Sequence, residues 1–405
     1  MSLLDLVRPL EDPWQEVVDA VLRKRGAPTT REPDRLGARV AELSAAYNAG
    51  RAGEGVRVPL EARIGFSFAR DVPKGAAAVR ELVAARALAP RGEGDALRVV
   101  DLGAGLGAMS WGVARAARAC GVRRVDALFV DDDREALSAA EAIAREAASR
   151  LGESEPRVDV RTRVERIAPQ MKLPEADVVI LGQVLSELDL SLEPRERVAR
   201  HATLARDLLS RVVAPHGSLV IVEPALRDRT RHLHAVRDAL VEEATVFGPC
   251  LHAQRCPALL TEGEWCHEDL AVDLPPWLVP LARAAGLRWQ GLTSSVLVLR
   301  RDGARLGDLG AGERQGDDGG KVRLRVVSDL IATKGKAELF ACTAAGERRR
   351  LRRLDRDGAG AANGSSWHDL RRGDVVTLTG RGAPPIDDRG RVSATVEIDV
   401  WPVRK

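Results

Sequence analysis

Aromatic side chains are scarce in this sequence: Phe, Tyr and Trp make up 3% of 405 residues, with a single tyrosine. Few platforms are left for stacking the bases of a single strand, so any nucleic acid bound is expected to be gripped through shape and backbone. Long apolar runs are missing too, and none approaches the roughly 18–20 residues that a membrane helix needs. The first fifteen residues carry Asp5, Glu11 and Asp12, which suits neither a secretory signal nor a transit peptide. A soluble, cytoplasmic, bacterial-type protein is expected. Five cysteines (Cys120, Cys250, Cys256, Cys266 and Cys342) are an odd number for a disulfide framework and leave metal binding, catalysis or burial. Cys120 ends an alanine-rich helical run and reads as core filler.

Net charge is small, +3 from 62 Lys+Arg and 59 Asp+Glu, but it is unevenly spread. Residues 321–405 hold 18 Lys+Arg and 11 Asp+Glu, a surplus of seven, which leaves residues 1–320 at −4. A basic appendage on a mildly acidic body suggests a polyanionic partner. The length predicts two or three domains. Residues 1–92 read as a helical region, with helical spacing over 13–23, 36–47 and 75–88 and a loop at 49–55. Residues 93–301 alternate strands (98–102, 125–130, 158–164, 177–182, 218–223) with helical patterns, which implies a doubly wound parallel sheet. Two last strands, 287–292 and 295–300, lie so close together that a hairpin is expected, making the final strand antiparallel. An α/β doubly wound sheet ending in an antiparallel hairpin resembles the class I S-adenosylmethionine methyltransferase fold. Residues 302–320 read as a linker, and 321–405 as a small, barrel-like β module with a mobile glycine-rich loop at 358–364.

The run from Val99 to Gly107 is a strand entering a glycine turn and then a helix. Gly103, Gly105 and Gly107 allow a sharp turn and close approach to a ligand. A pyrophosphate would be repelled by Asp101 at the strand tip, whereas an ammonium and a sulfonium, the charges of S-adenosylmethionine, would be attracted. Asp131, with Asp132 behind it, ends the next strand where ribose hydroxyls would be taken. The fourth strand runs into Gln183, Ser186 and Glu187, and the fifth ends at Glu223-Pro224. Glu187 and Glu223 are the candidate bases, beside an ordinary helix-capping or surface role. Asp/Asn-Pro-Pro-aromatic, the usual run of amino-methylating enzymes, is absent, so donor binding is better supported than transfer.

Within an insertion at 226–285, Cys250, Cys256 and Cys266 fall in 17 residues, and prolines flank two of them. Thiolates bind soft or borderline metals. Zinc would want tetrahedral ligands from close Cys pairs, which are lacking, although His252 or His267 could complete such a site. The wider spacing suits an iron–sulfur cluster better, with Cys342 as fourth ligand clamping the β module to the body.

These segments, in the same order, resemble one family. They are the glycine loop 99–107, the strand ends 182–188 and 217–224, the Cys-Pro segment ending in Trp265-Cys266-His267, and the Cys342-Thr343 strand. The chain is similar over about residues 65–400 to the yeast mitochondrial ribosomal small-subunit protein twenty-two family, whose human relative is methyltransferase-like protein seventeen. That resemblance implies small-subunit assembly, with rRNA as partner. It also implies a methyltransferase-like domain in which transfer itself is uncertain. The donor contacts it implies would fall on Asp101, Gly103, Gly105 and Asp131, to which the glycine turn and the end of the fourth strand add Gly107 and Gln183 as candidates. A [4Fe–4S] site would be ligated by Cys250, Cys256, Cys266 and Cys342.

For RNA contact, the β module offers Arg348, Arg349, Arg350, Arg352 and Arg353, five arginines in six residues, able to grip phosphates bidentately. Trp367 is its candidate stacking residue. Residues 227–234, beside the expected acceptor crevice, add further basic groups.

Overall fold

The computed structural model describes residues 6–48, 58–88, 96–308, 320–358, 365–380 and 383–401. The loop expected at 49–55, most of the linker and nearly all of the glycine-rich run at 358–364 lie outside these residues.

Four helices open the chain: α1 (Asp12–Lys24), α2 (Pro33–Asn48), α3 (Leu60–Ala62) and α4 (Phe68–Ala84), the last two joined through a π-helical turn over Arg63–Ser67. They do not form a separate unit. Trp14, Val18, Leu36 and Phe68 share one hydrophobic core with Val99, Trp111 and Phe129 of the domain that follows.

That domain carries β1 (Leu97–Leu102), β2 (Arg124–Asp131), β3 (Arg157–Val164), β4 (Ala176–Gly182), β5 (Val213–Glu223), β6 (Thr245–Gly248), β7 (Glu268–Leu270) and β8 (Leu292–Arg300). Their order is β3-β2-β1-β4-β5-β8-β6, with β7 pairing β8 off that path. Pairings among β1 to β5 are parallel, while β8 runs antiparallel to both β5 and β6. Helices α5 (Ala108–Ala117), α6 (Arg134–Arg150), α7 (Pro194–Arg211), α8 (Arg227–Asp238) and α9 (Val279–Ala284) complete it. β1 is buried on both faces, as a central parallel strand must be. A parallel sheet reversed once by a late antiparallel strand is the class I methyltransferase-like architecture.

The expected hairpin is not formed. Residues 287–291 do not pair as a strand, because Gly291 holds φ +110° against the backbone of Leu270, leaving 2.8 Å between a would-be Cβ and Leu270 O. β8 instead inserts between β5 and the short β6, which comes from within the cysteine insertion.

Helices α4 and α5 cross at two glycines. A Cβ on Gly75 would stand 2.2 Å from Met109 O, and one on Gly112 would stand 2.1 Å from Val72 O. That contact brings the turn containing Arg63 to the glycine loop preceding α5.

The C-terminal unit consists of β9 (Lys321–Val326), β10 (Ile331–Thr333), β11 (Lys336–Thr343), β12 (Arg348–Leu354), β13 (Val375–Thr379) and β14 (Glu397–Trp401). They form a six-stranded antiparallel sheet around its own core of Leu339, Leu351, Trp367 and Ile398. Among the described residues an isolated bridge between Arg352 and Arg391 is the added link across it, so the sheet is curled without continuous barrel pairing.

Candidate functional site

Two sites emerge, one at the carboxyl ends of the parallel strands and one where the C-terminal unit meets the body. At the first, Gly103, Gly105 and Gly107 all hold positive φ, but for different reasons. A Cβ on Gly103 would collide with Val184 at 2.4 Å, and one on Gly107 with Phe129 at 2.3 Å. These two serve packing. A Cβ on Gly105 would meet only Arg63 Nη2, at 2.9 Å, so this glycine faces the crevice.

Asp131, half-buried at the tip of β2, accepts the N–H groups of Gly105 and Asp133, each at 2.8 Å. It thereby ties the glycine loop to the start of α6. Asp133 caps that helix by accepting from Ala136 N and pairs with Arg63 at 2.7 Å. Sequence reasoning missed Arg63 and Asp133, whose partnership spans 70 residues. Asp132 is exposed, paired only at 3.9 Å with Arg166.

Asp101 departs from expectation. It is 1% exposed and accepts the Ser110 hydroxyl at 2.7 Å, and burial pushes its carboxyl up to about 7. Its work is to fasten α5 beneath the loop, not to face an open crevice.

Gln183 adopts φ +62° and donates its N–H to Val222 O. Glu223, 2% exposed, accepts from Leu185 N at 2.9 Å and Ser186 N at 3.1 Å. Arg197 secures the same turn through the carbonyls of Leu185 and Leu188. Both Glu223 oxygens are therefore committed to backbone. Glu187 stands exposed on the rim, with Arg229, Arg63 and Asp131 as charged neighbours.

Burial pushes the Glu223 carboxyl from 4.5 up to about 7. Its stabilising contribution is complete below about pH 4.5 and is lost as pH rises through 7, because the interior must then accept the charge. Comparing wild type with Glu223→Gln by thermal unfolding isolates this group. From pH 5 to 8 the wild type should lose stability relative to the variant, on the order of 3 kcal/mol. A pH-independent difference would contradict this role.

The second site is a cavity of ≈ 550 Å³, open mouth included, lined by Cys250, Cys256, Cys266 and Cys342 together. The first three come from the insertion between β5 and β8, and Cys342 from β11. Cys256 N–H donates to Asp238, and Cys266 N–H to His234 Nε2. In the sheet register Cys342 lies opposite Arg325 on one side and Arg348 on the other. Burial, reinforced by the neighbouring thiols, pushes Cys256 up to about 11 and Cys342 up to about 12, and raises Cys266 well above the usual thiol range.

Arg237, 2% exposed, reaches the carbonyls of His252 and Gln254, shaping the loop between Cys250 and Cys256, while its Nε has no partner among the described residues. His252 lines the cavity, and its Nδ1 is likewise unpartnered. His267 instead stacks on Trp265. Among the described residues no three His, Cys, Asp or Glu side chains are grouped to hold one metal ion. The four thiols surround a space without converging on a point. Cys120 packs on the main core, as expected.

The arginine run is not an open basic strip. Period-two alternation turns Leu351 and Arg353 inward. Arg353 is 2% exposed and donates to the carbonyls of Asp357, Gly358 and Ala394, which corrects its assignment to RNA. Arg348 pairs with Glu264 and Arg350 with Glu338, while Arg349 donates to Asp387 O. Arg352 is half-buried, with its Nε unpartnered among the described residues. Arg350 is the member of the run that stays exposed. Trp367 is also corrected: it is 1% exposed and its Nε1 donates to Ala337 O, so it is core and cannot stack a base.

Among solved structures, the chain is similar to magnesium protoporphyrin IX methyltransferase from Synechocystis with bound donor. Identity is 16% and the TM-score 0.31, over 66% of this chain and 97% of that one. It is similar to a putative class I methyltransferase from Listeria monocytogenes at 13% identity and TM-score 0.38, over 75% and 90%. An O-methyltransferase family protein from Burkholderia thailandensis matches at 21% and 0.30, over 68% and 74%. No curated protein sequence matches. The family model described as mitochondrial small ribosomal subunit Rsm22 matches residues 73–274. Through this segment, which holds the glycine loop, the strapped turn after β4 and three of the four thiols, the chain belongs to the Rsm22 family.

Proposed function

We propose that the chain is a small-ribosomal-subunit assembly factor that grips rRNA. On this reading it holds S-adenosylmethionine at the glycine loop and fastens its C-terminal unit with a [4Fe–4S] cluster on Cys250, Cys256, Cys266 and Cys342. One observation carries the reading: a family member of methyltransferase-like fold gathers four thiols, three from its body and one from its C-terminal unit, around a single cavity. The donor set is all soft sulfur, ringed by Arg237, Arg325 and Arg348, whose charge complements anionic thiolates.

S-adenosylmethionine, when bound, supplies an electrophilic methyl group. The chain's own part is to hold it: Asp131 receives ribose hydroxyls, Gly105 leaves room for close approach, and Asp101 acts indirectly by anchoring α5. A second reading, an active methyltransferase, rests on Glu187, the one candidate carboxylate at the rim whose oxygens are not spent on backbone.

Crosslinking in cells tests the reading. Small-subunit rRNA should dominate the recovered fragments, and the chain should sediment with small-subunit precursors. Recovered RNA lacking small-subunit rRNA would overturn assembly as the function.

A further inference from the structure

We propose that Trp265 is a stacking platform for one unstacked RNA base, held beside the acceptor crevice by Arg227 and Arg229. The proposal rests on the RNA-binding reading and assigns it a place and a mode.

Trp265 is 36% exposed, whereas Trp14, Trp111, Trp277 and Trp367 are buried. Its ring is nevertheless fixed. The indole N–H donates to Ala225 O at 3.1 Å, and the ring stacks on His267 with centroids 5.7 Å apart and an 18° tilt. Arg231 holds the loop beneath it by donating to the carbonyls of Ala258, Thr261 and Glu264. An indole immobilised in this way loses little freedom when a flat ligand settles on it. Two further large apolar side chains are exposed nearby in the chain, Leu226 next to Ala225 at 56% and Leu260 in the loop that Arg231 holds at 72%.

The surrounding charge selects the ligand. Helix N-termini favour acids, because the macrodipole is positive there. Helix α8 instead opens with Arg227 and Arg229 around Asp228; among the described residues neither arginine has a carboxylate within ion-pair distance, and Arg229 acts on Glu187 and Glu223 only from farther away. Two cations at the positive end of a dipole are relieved by phosphates, and a phosphate chain brings bases. Position adds the last element. Ala225, which fixes the indole, follows Glu223-Pro224 at the end of β5, so the platform adjoins the crevice where an acceptor would enter. A peptide partner would use the same exposed leucines but would not need two cations beside a flat ring.

The test uses the full chain, a fluorescent single-stranded (A)12 oligonucleotide and a blunt RNA duplex of equal length. Trp265→Leu keeps apolar volume against the thiol cavity but removes the π-face; Trp265→Phe restores one. The leucine variant should weaken (A)12 binding about five- to fifty-fold while duplex binding changes less than about twofold, and the phenylalanine variant should recover most of the loss. Arg227→Ala/Arg229→Ala should weaken both probes and flatten their salt dependence. Photocrosslinking of the same oligonucleotide with one adenosine replaced by 5-iodouridine should yield a peptide containing Trp265. Wild-type binding that survives Trp265→Leu unchanged overturns the platform alone. Absence of binding to either probe overturns RNA recognition itself.

Discussion

Replacing Arg325 by Met is expected to release the C-terminal unit from the body and to cost about 3–5 kcal/mol. Arg325, on β9 and 3% exposed, pairs with Glu81 of α4 and Glu268 of β7, each at 2.7 Å. It also donates to Pro249 O, one residue before the first cavity thiol. Arg80 closes the group by binding the other oxygen of Glu268 at 2.7 Å. Three buried charges and the half-buried Glu81 thus join the helical region, the insertion and the C-terminal sheet at one point. Burial works to raise the Glu268 carboxyl, yet Arg325 and Arg80 together hold it down at about 2.

Removing Arg325 leaves two carboxylates sharing one buried guanidinium. The deficit should therefore shrink on mild acidification, because Glu268 without Arg325 regains a proton more readily. Adding Glu268→Gln to Arg325→Met should recover part of the loss at neutral pH, as coupled neighbours do. Limited proteolysis between residues 302 and 320 reports undocking. Cleavage and thermal unfolding unchanged from wild type would refute the latch.

None of these pairings was legible in the sequence. Arg80 and Glu268 lie 188 residues apart and Arg325 and Glu268 lie 57 apart, and each alone reads as a charge on an amphipathic element. The parallel strands were readable because a strand buried on both faces is rich in β-branched and other apolar residues, as residues 97–102 and 176–182 are apart from Arg98, Asp101 and Asp177. The glycine loop was readable because a tight turn at positive φ restricts residue type. What the string could not say was which glycine serves packing and which serves a ligand; Val184 and Phe129 decide that from elsewhere in the chain.

Charge misled most. The surplus of seven in residues 321–405 is real, but several of its arginines serve as internal struts. Arg323 binds Gly307 O, Arg353 ties three carbonyls, and Arg391 pairs with Asp357. With few aromatics, this small unit uses guanidinium donors to order loop carbonyls. The exposed aromatic–arginine surface lies instead on the body, at Trp265 and the first turn of α8, where a short loop gave no periodic signal.

Cys342→Ser is expected to have the other large effect, and it separates a cluster from a single ion. Anaerobically purified wild type should carry about four irons and four sulfides per chain, with a broad band near roughly 400 nm. Cys342→Ser, Cys256→Ser and Cys266→Ser should each lower iron and sulfide together, because every thiol borders the same cavity. Cys120→Ser should change neither, since Cys120 packs on the main core at the end of α5. The three cavity variants differ in one respect. Only Cys342 comes from the C-terminal sheet, so its loss severs the bond between the units, whereas loss of Cys256 or Cys266 removes a bond within the body. Protease cleavage between residues 302 and 320 should therefore rise most in Cys342→Ser. It should rise further when Arg325→Met is added, because that substitution removes the buried ion pairs that fasten the strand opposite Cys342 in the sheet register. A single zinc without sulfide, abolished by His252→Ala, would replace the cluster with a zinc site using the histidine that lines the cavity. Equal cleavage in all three cysteine variants would mean that the metal orders the insertion without fastening the C-terminal unit, leaving that task to ion pairs such as Arg325 with Glu81 and Glu268 and Arg348 with Glu264.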